Sequence, residues 1–282
     1  MKKLFSLSLL LTFFSMLSLA QENSLLWKIS GNNLKTDSYI LGTIHMMCPD
    51  DFIMHDKVTK VIGEVDKVVF EVNLFDEANT AQMQSMMMQP VPEFLKDLKE
   101  SEIQLIDSVL KANQLSISMF DMFHPAMVMS VLSLKSFNCP DMMNIKSVEG
   151  EVYALAENKE LGDLETLDFQ MDMMSKIATP SYFYKYLQNF DEVTAMTQTM
   201  VQAYNQENLA ELSKVINDPR WMSPEVYDIM LTKRNKNWVE SIPATIAEGK
   251  TLIAVGAAHL IGDIGIIKLL QDKGYTVTPV LN

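Results

Sequence analysis

Cysteine and basic residues are scarce in this sequence, and each shortage argues against one kind of site or binding partner. Only two of the 282 residues are cysteines, Cys48 and Cys139, and their spacing is not that of a zinc site. One disulfide and two free buried thiols are equal alternatives on the sequence alone. Basic residues number 23 against 36 acidic ones, a net charge of −13. Such a balance argues against binding nucleic acid or anionic lipid through a basic surface.

Motifs that mark several well-known enzyme classes are also missing. The sequence contains no Gly-x-Ser-x-Gly, no His-Glu-x-x-His and no phosphate-binding loop. The best-known serine hydrolases, zinc peptidases and nucleotide-binding enzymes are therefore not supported. Methionine is abundant instead, with 22 residues, but repeated Met-x-x-Met beside histidine is absent. We interpret the methionines as flexible core filling or a mobile apolar lid rather than as a copper site.

The first 20 residues form the only stretch that approaches a membrane or targeting segment. Lys2 and Lys3 precede an apolar run that reaches about Leu17, and a small-residue cleavage signal ends at Ala20, before Gln21. We therefore predict a signal peptide over residues 1–20, cleaved near Ala20–Gln21, and a bacterial protein that is periplasmic or secreted. The alternative is an uncleaved anchor helix, for which the run is short. No stable membrane insertion is expected after cleavage.

Residues 21–282 have the pattern of one α/β domain that is strand-rich at both ends and helical between about residues 95 and 250. Short β-type runs occur at Leu26–Ile29, Ser38–Ile44 and Thr251–Val255. The apolar run Lys67–Val72 is typical of a strand covered on both faces, as in a parallel sheet. We predict a central, mainly parallel or mixed sheet formed by the N- and C-terminal parts, with a large helical insertion in the middle.

Turn-forming and capping residues divide the rest of the chain. Gly31, Asn32 and Asn33 predict a hairpin between the first two strands. The polar, Met-rich and poorly patterned segment Asp76–Pro92 is predicted to be a loop or lid. Ser101 is the expected N-cap of a helix. Further helices are predicted over residues 120–137, 148–161, 169–176, 182–202, 209–216 and 223–238, and the C-terminal end is predicted to be a βαβ unit with Gly274 after its helix.

Two Gly-x-x-His segments, Gly42–His45 and Gly256–His259, follow predicted strands, and Glu71 closes a third. In an open α/β sheet, ligands and catalytic groups gather beyond the carboxyl ends of the strands, so we expect these side chains in one crevice. The glycines would let the backbone turn sharply or approach a ligand closely before each imidazole. Each histidine taken alone is more often a structural hydrogen-bonding residue. The shared placement of His45 and His259 with Glu71 favours a functional site.

Three further polar residues are weaker candidates. Arg234 and Asn235 lie in a predicted helix, and Trp238 follows one turn later. A solvated helical face with the tryptophan packed against a neighbour is the simpler interpretation of that pattern. Glu165 precedes Thr166 after a short apolar run, which is compatible with a simple helix-capping arrangement. Residue chemistry alone would select none of the three.

The order of these motifs resembles that of the TraB/PrgY/GumN family. The resemblance spans residues from about 26 to 280 and is carried by Leu41–His45, Glu71, Leu164–Thr166 with Gln170, Arg234–Trp238 and Val255–Leu260. The family is similar to the Tiki metalloproteases and, more distantly, to erythromycin-esterase-like and haem-binding ChaN-like proteins. That kinship implies a shared α/β core. One departure is Ser147-Val148-Glu149, where members commonly carry Gly-hydrophobic-Asp, so Glu149 has no role derived from the family.

Together the residues and the resemblance imply a metal-dependent hydrolase, acting on peptide bonds. His45 and His259 are expected to bind a divalent ion, which would be zinc, manganese or cobalt. Glu71 would be a further ligand or the general base for a metal-bound water, whose pKa such an ion lowers to about 7. The expected partner is a peptide or small-molecule substrate.

The remaining motif residues would support the same chemistry. Glu165 is expected to be a second acid or ligand, and Arg234 and Asn235 to bind a substrate carboxylate or stabilise an oxyanion. Two alternatives stay open. One is a non-enzymatic binding protein that sequesters a peptide signal or haem. The other is a metal-independent, esterase-like hydrolase in which a histidine is the base and a glutamate is its partner.

Overall fold

The computed structural model describes residues 23–220 and 222–282, so the predicted leader and its cleavage point lie outside the described residues. Six strands form one sheet in the order β4-β3-β5-β2-β1-β6. The strands are β1 (Leu26–Gly31), β2 (Ser38–Thr43), β3 (Lys67–Phe70), β4 (Glu160–Asp163), β5 (Thr251–Gly256) and β6 (Tyr275–Pro279). Strand β5 lies inside the sheet and is buried at every residue but its last, as an apolar strand covered on both faces should be.

Strands β2, β3, β4 and β5 run parallel, whereas β1 is antiparallel to both β2 and β6. The predicted α/β class with a mixed sheet and a helical middle is confirmed, although the edge strand β4 comes from the middle of the chain. The register pairs Thr43 with Gly256 and Phe70 with Ala254. Strands β2, β3 and β5 therefore end at the same edge of the sheet, and the residues that follow them meet there.

Helices pack around the sheet and fill the middle of the chain. A π turn (Asp228–Thr232) precedes the longest C-terminal helix, and 3-10 turns lie at Pro49–Asp51 and Ala257–Leu260. Among the described residues, no helix is long and apolar enough to cross a membrane. The α-helices are α1 (Asp56–Glu64), α2 (Glu77–Met87), α3 (Glu100–Ala112), α4 (Met119–Met122), α5 (Pro125–Ser136), α6 (Val148–Leu155), α7 (Leu167–Ile177), α8 (Pro180–Gln188), α9 (Phe190–Asn205), α10 (Leu209–Ile216), α11 (Pro224–Tyr227), α12 (Lys233–Ala247) and α13 (Ile266–Asp272).

The predicted hairpin and the predicted C-terminal βαβ unit are both present. Between β1 and β2 the backbone has positive φ at Gly31, Asn32 and Asn33, residue types that tolerate this conformation. At the other end β5, α13 and β6 follow in order, and Gly274 at φ +90° stands just past the helix. Strand β6 is not the neighbour of β5, because β2 and β1 lie between them.

The Met-rich segment Asp76–Pro92 is where the sequence prediction was wrong, because it contains helix α2 rather than a loop. Asp76 caps this helix by accepting the backbone N–H groups of Ala78 and Asn79. None of the residues of α2 is fully buried. A helix that buries so little has no need of a regular apolar stripe, so its sequence shows little helical periodicity.

Three other helices differ from the prediction in where they begin or end. Ser101 lies inside α3, where Glu102 caps the helix by accepting the N–H of Lys99 at 2.8 Å. The helix predicted over residues 148–161 ends early because the chain turns at Asn158, whose φ is +111°, and then enters β4. The helix predicted over residues 182–202 is two helices that meet at Asn189.

Two large apolar cores, one small apolar cluster around Val72, Leu167 and Met171, and one disulfide hold the described part of the fold together. The larger core surrounds the sheet. The smaller lies among α3, α4, α5 and α8, where Phe183 makes edge contacts with Phe94 and Phe120. Of the two alternatives for the cysteines, the structure contains the disulfide, Cys48–Cys139. This bond ties the loop after β2 to the segment that follows α5.

Candidate functional site

A cavity of about 320 Å³ opens where β2, β3 and β5 end at their common edge. Its polar lining includes His45, Glu71, Arg234 and His259, so both Gly-x-x-His segments and the glutamate meet in one place. A concave apolar site with a few polar groups is the general form of a ligand pocket. The apolar part of the lining includes Phe137, Met200, Leu212, Ile216, Met230 and Leu231.

Glu71 follows β3 directly, and its carboxylate connects the other polar groups. Oε1 accepts the backbone N–H of Gly256 at 2.7 Å and lies 3.6 Å from Nε2 of His259. Oε2 accepts N–H groups from Arg234 and Gln170. Burial alone would raise the pKa of Glu71, but the neighbouring charges and the Gly256 N–H outweigh burial and lower this pKa to about 2. The side chain is therefore a fixed negative charge at neutral pH.

Every N–H of the Arg234 guanidinium has an acceptor. Nε donates to Glu165 at 3.1 Å, and Nη2 donates both to Glu71 and, at 2.7 Å, to Glu165. Nη1 donates to the carbonyl of Met230 at 3.3 Å and to Nε2 of His259 at 3.1 Å. A guanidinium carries five N–H groups, so none is left for a substrate. The expected contact of Arg234 with a substrate carboxylate or oxyanion is not available in this arrangement.

His259 is buried and held in one tautomer by Asn235. The Asn235 amide nitrogen donates to the carbonyls of His259 and Ile264, so Oδ1 is left to accept from Nδ1 of His259 at 2.6 Å. The ring proton therefore lies on Nδ1, and Nε2 presents a lone pair to Arg234. Burial lowers the pKa of His259 to about 3, so the ring is neutral at pH 7, and Arg234 is the cation in direct contact with Glu71. Asn235 is completely buried and holds the ring of His259 in place.

His45 follows β2 in a different environment. Its side chain is 69 % exposed, and its Nδ1 lies 2.7 Å from Oε1 of Glu149. Glu149 is fixed in turn by the hydroxyl groups of Thr43 and Ser147, at 2.6 and 2.9 Å. The carboxylate charge raises the pKa of His45, although solvent around the exposed ring screens the attraction. In the neutral ring the proton lies on Nδ1, which makes Nε2 the basic atom.

One comparison with known proteins gives a match. The model described as the TraB/PrgY/gumN family matches residues 25–279, nearly the whole chain. The chain belongs to this family. No significant match was found among curated proteins or solved structures. The resemblance inferred from the sequence is thereby confirmed, while membership alone does not establish the chemistry of the site.

The sequence of this TraB/PrgY/gumN family member indicated no role for Glu149. The structure brings it to His45 because the N–H of Val148 bonds to the carbonyl of Ile44, which holds the start of α6 against the end of β2. Ser147 caps α6, and Glu149 lies in its first turn. An acidic residue in a capped first turn is a common helix start, so this signal alone would not have paired it with a histidine.

Glu165 lies behind Arg234 rather than in the main cavity. Its carboxylate accepts from Arg234 and, at 3.1 Å, from the indole N–H of Trp238. It lines a separate pocket beside α7. The Trp238 ring lies 4.6 Å from the guanidinium and 4.5 Å from the ring of His259. Glu165 and Trp238 therefore fix Arg234, and while Arg234 is in place the carboxylate of Glu165 is engaged by it. The expected role of Glu165 as a second acid or ligand stays a prediction.

The divalent ion implied by the family resemblance does not fit the donors as the structure arranges them. Nε2 of His259 and Oε2 of Glu71 both accept from Arg234, whose guanidinium occupies the position between them. Nδ1 of His45 bonds to Glu149, which leaves its Nε2 open, but one open imidazole nitrogen is not enough to hold the ion. In the described part of the chain, no group of three His, Cys, Asp or Glu side chains is placed to hold a metal ion. Zinc, manganese or cobalt stays a prediction of the sequence.

Proposed function

We propose that the protein is a metal-independent hydrolase in which His45 transfers a proton during cleavage of an ester or amide bond. The observation that carries this proposal is the His45–Glu149 pair, which stands exposed at an apolar cavity. A histidine whose Nδ1 is held by a carboxylate is a recurrent general base, because the carboxylate fixes the tautomer and stabilises the imidazolium form.

In this mechanism Nε2 of His45 takes a proton from a water molecule as the water oxygen attacks the substrate carbonyl carbon. The same proton then passes from His45 to the leaving oxygen or nitrogen as the carbonyl–heteroatom bond breaks. The charge of Glu149 and, at longer range, that of Glu71 both favour the protonated ring. Each therefore stabilises the transition state in which the histidine becomes charged.

Glu71 is less suited to be the base than the sequence suggested. Its pKa of about 2 lies far below neutral pH, whereas an efficient general base has a pKa near the working pH. Its oxygens already accept from Gly256, Arg234 and Gln170. We assign Glu71 an electrostatic role, in which its fixed negative charge stabilises the imidazolium of His45.

The cavity walls support a substrate that carries a small apolar group next to the bond that is cleaved. A volume of about 320 Å³ is near the lower limit for ligand pockets, so a long peptide would not be enclosed. Met200, Met222 and Met230 line the wall with flexible side chains that adapt to different shapes. The substrate class we propose is a small ester or amide, or a peptide that inserts one apolar side chain.

Export is part of the same proposal. The predicted signal peptide over residues 1–20 supports a periplasmic or secreted protein. The Cys48–Cys139 disulfide supports it independently, because disulfides form and persist mainly in oxidising compartments. Fractionation of cells that express the full chain tests this, with accumulation in the cytoplasm as the contrary outcome.

A non-enzymatic binding protein is the second candidate, and the apolar cavity itself favours it. The same walls would hold a small apolar ligand or a peptide side chain without any reaction. Haem, which the sequence also allowed, fits less well because Nε2 of His259 accepts from Arg234 and is not available to iron.

The test is a panel of fluorogenic esters and peptides that differ in the size of one apolar group. We expect wild-type protein to cleave members of the panel and His45→Asn to lose about 10²- to 10⁴-fold in kcat/KM while folding normally. His55→Asn is the matched control, since His55 stands at the start of α1 with no side-chain hydrogen bond to the helix and does not line the cavity.

The outcomes separate the two candidates. Full activity in His45→Asn would remove His45 from the mechanism. If the panel is bound but not cleaved, and the affinity is the same in His45→Asn, the protein is a binding protein and the hydrolase proposal fails.

A further inference from the structure

The guanidinium of Arg234 lies among three donors of the kind that bind divalent metals. Nη2 contacts the carboxylates of Glu71 and Glu165, the latter at 2.7 Å, and Nη1 lies 3.1 Å from Nε2 of His259. The donors come from three separate segments, after β3, before α7 and after β5, and they converge on this one side chain. Two carboxylates and an imidazole are also the donor types of many zinc, manganese and cobalt sites.

We propose that Arg234 is a resident cation that takes the place of a divalent ion at this centre, and that its removal opens a latent metal site. Buried carboxylates need a cation beside them, and here Arg234 is that cation for both Glu71 and Glu165. A cation supplied by the chain itself leaves no requirement for an external ion. This inference rests on the geometry around Arg234 and not on the proposed reaction.

The guanidinium is held from several directions. Its carbon lies 4.6 Å from the centre of the Trp238 ring, and Nη1 also bonds to the carbonyl of Met230. Trp238 donates to Glu165 at 3.1 Å, so that carboxylate is fixed from a second side. Arg234 follows the π turn Asp228–Thr232, a helical irregularity that often marks functional positions. A metal ion could reach these donors only by displacing the guanidinium, which would break its bonds to Glu71, Glu165 and His259.

Cobalt(II) is the probe, because its visible absorption bands report coordination by protein ligands. We expect wild-type protein purified without added metal to carry far less than one divalent ion per chain and to give no cobalt bands. Arg234→Ala should bind one cobalt ion per chain at least about 100-fold more tightly than wild type. The guanidinium now keeps His259, Glu71 and Glu165 too far apart to share an ion, and its loss frees their donor atoms to converge on one. The double variant Arg234→Ala/His259→Ala should lose that binding.

Lys233→Ala is the matched control, because it removes the neighbouring cation, which is exposed and pairs with Asp228. It should bind no cobalt. Arg234→Lys keeps a positive charge at the centre and is the second variant. It too should bind no cobalt, and its circular dichroism should match that of wild type.

Three results would overturn the proposal. A stoichiometric divalent ion in wild-type protein would show that the guanidinium does not replace a metal. Cobalt binding by wild type as tight as in Arg234→Ala would show the same. An Arg234→Ala variant that binds no cobalt when folded, or that stays unfolded with cobalt present, would show that no latent site exists, because an ion bound there should supply the charge that the buried carboxylates need. Each readout is independent of any substrate, so the hydrolase proposal can fail while this one holds.

Discussion

Gly42–His45 and Gly256–His259 lie at the ends of the neighbouring parallel strands β2 and β5, and in each the histidine Nδ1 bonds to a side-chain oxygen. For His45 the oxygen belongs to a carboxylate, and for His259 it belongs to an amide. The first side chain is 69 % exposed, whereas the second residue is 3 % exposed. The carboxylate raises the pKa of His45, and burial lowers that of His259 to about 3. One four-residue pattern thus gives a group suited to proton transfer at one strand end and a fixed neutral acceptor at the next.

The two glycines differ as well. A Cβ on Gly42 would lie 2.8 Å from the side chain of Leu260 and 3.0 Å from the backbone of Ala257, so β2 can approach the turn after β5 only because this residue has no side chain. A Cβ on Gly256 would make an ordinary contact, 3.4 Å from the Glu71 carboxylate, and φ there is −51°. A close approach of the backbone was expected at both glycines. At Gly42 the backbone does approach another part of the protein closely, and at Gly256 it does not.

The largest difference between the two motifs is expected in protein stability when each histidine ring is removed. His259→Ala leaves a cavity and unpairs Oδ1 of Asn235 and an N–H of Arg234, so the free energy of unfolding should fall by about 2–5 kcal/mol. His45→Ala removes an exposed ring and should cost about 1 kcal/mol or less. Urea unfolding followed by circular dichroism measures both. Equal losses in the two variants would contradict the difference in burial on which the comparison rests.

A smaller difference is expected between the glycines. Gly42→Ala forces β2 and the following turn apart and should lower the free energy of unfolding by about 1–3 kcal/mol, the usual effect of overpacking. Gly256→Ala should stay within about 0.5 kcal/mol of wild type, as substitutions without a steric conflict do. The same urea unfolding experiment applies. A Gly256→Ala variant as unstable as Gly42→Ala would mean that the second glycine has a steric role after all.

The location of the site could be predicted from sequence because it follows from a local rule. Apolar runs that end in Gly-x-x-His or glutamate place His45, Glu71 and His259 at one sheet edge when the strands are parallel. The partners of the two histidines could not be predicted in the same way. Glu149 and Asn235 are distant in the chain, and which oxygen meets which ring depends on how α6 and α12 pack. Identical motifs therefore gave no indication that one ring is buried and the other exposed.

The fold shows the same limit. Strands β2, β3 and β5 were predictable because burial on both faces leaves apolar runs in the sequence. Strand β4 is a short polar edge strand with the sequence ELGD and has no such run, so it was predicted as the end of a helix. The prediction for helix α2 was wrong for a similar reason, since this helix buries no residue fully and carries no apolar stripe. Sequence patterns report burial, and elements with little burial leave little pattern.

The smallest expected effect concerns the partner that distinguishes His45. Glu149→Gln removes the negative charge but keeps an oxygen that can accept from Nδ1, so the pKa of His45 should fall toward its ordinary value of 6.5. A general base works in its unprotonated form, so the rising limb of kcat/KM against pH follows this pKa. The limb should therefore lie above pH 6.5 in wild type and move to lower pH in Glu149→Gln, with a plateau about tenfold lower because the imidazolium is less stabilised.

The position of the limb, rather than the height of the plateau, decides this test. A plateau can fall because the packing around His45 has changed, whereas the loss of the neighbouring negative charge also moves the limb to lower pH. Glu151→Gln is the matched control, since Glu151 lies on the same helix and pairs with Lys146 at 2.7 Å instead of with His45. Its limb should coincide with that of wild type. A limb that stays in place in Glu149→Gln would mean that the group titrating in the pH profile is not His45, and the assignment of the base would have to pass to another side chain of the cavity.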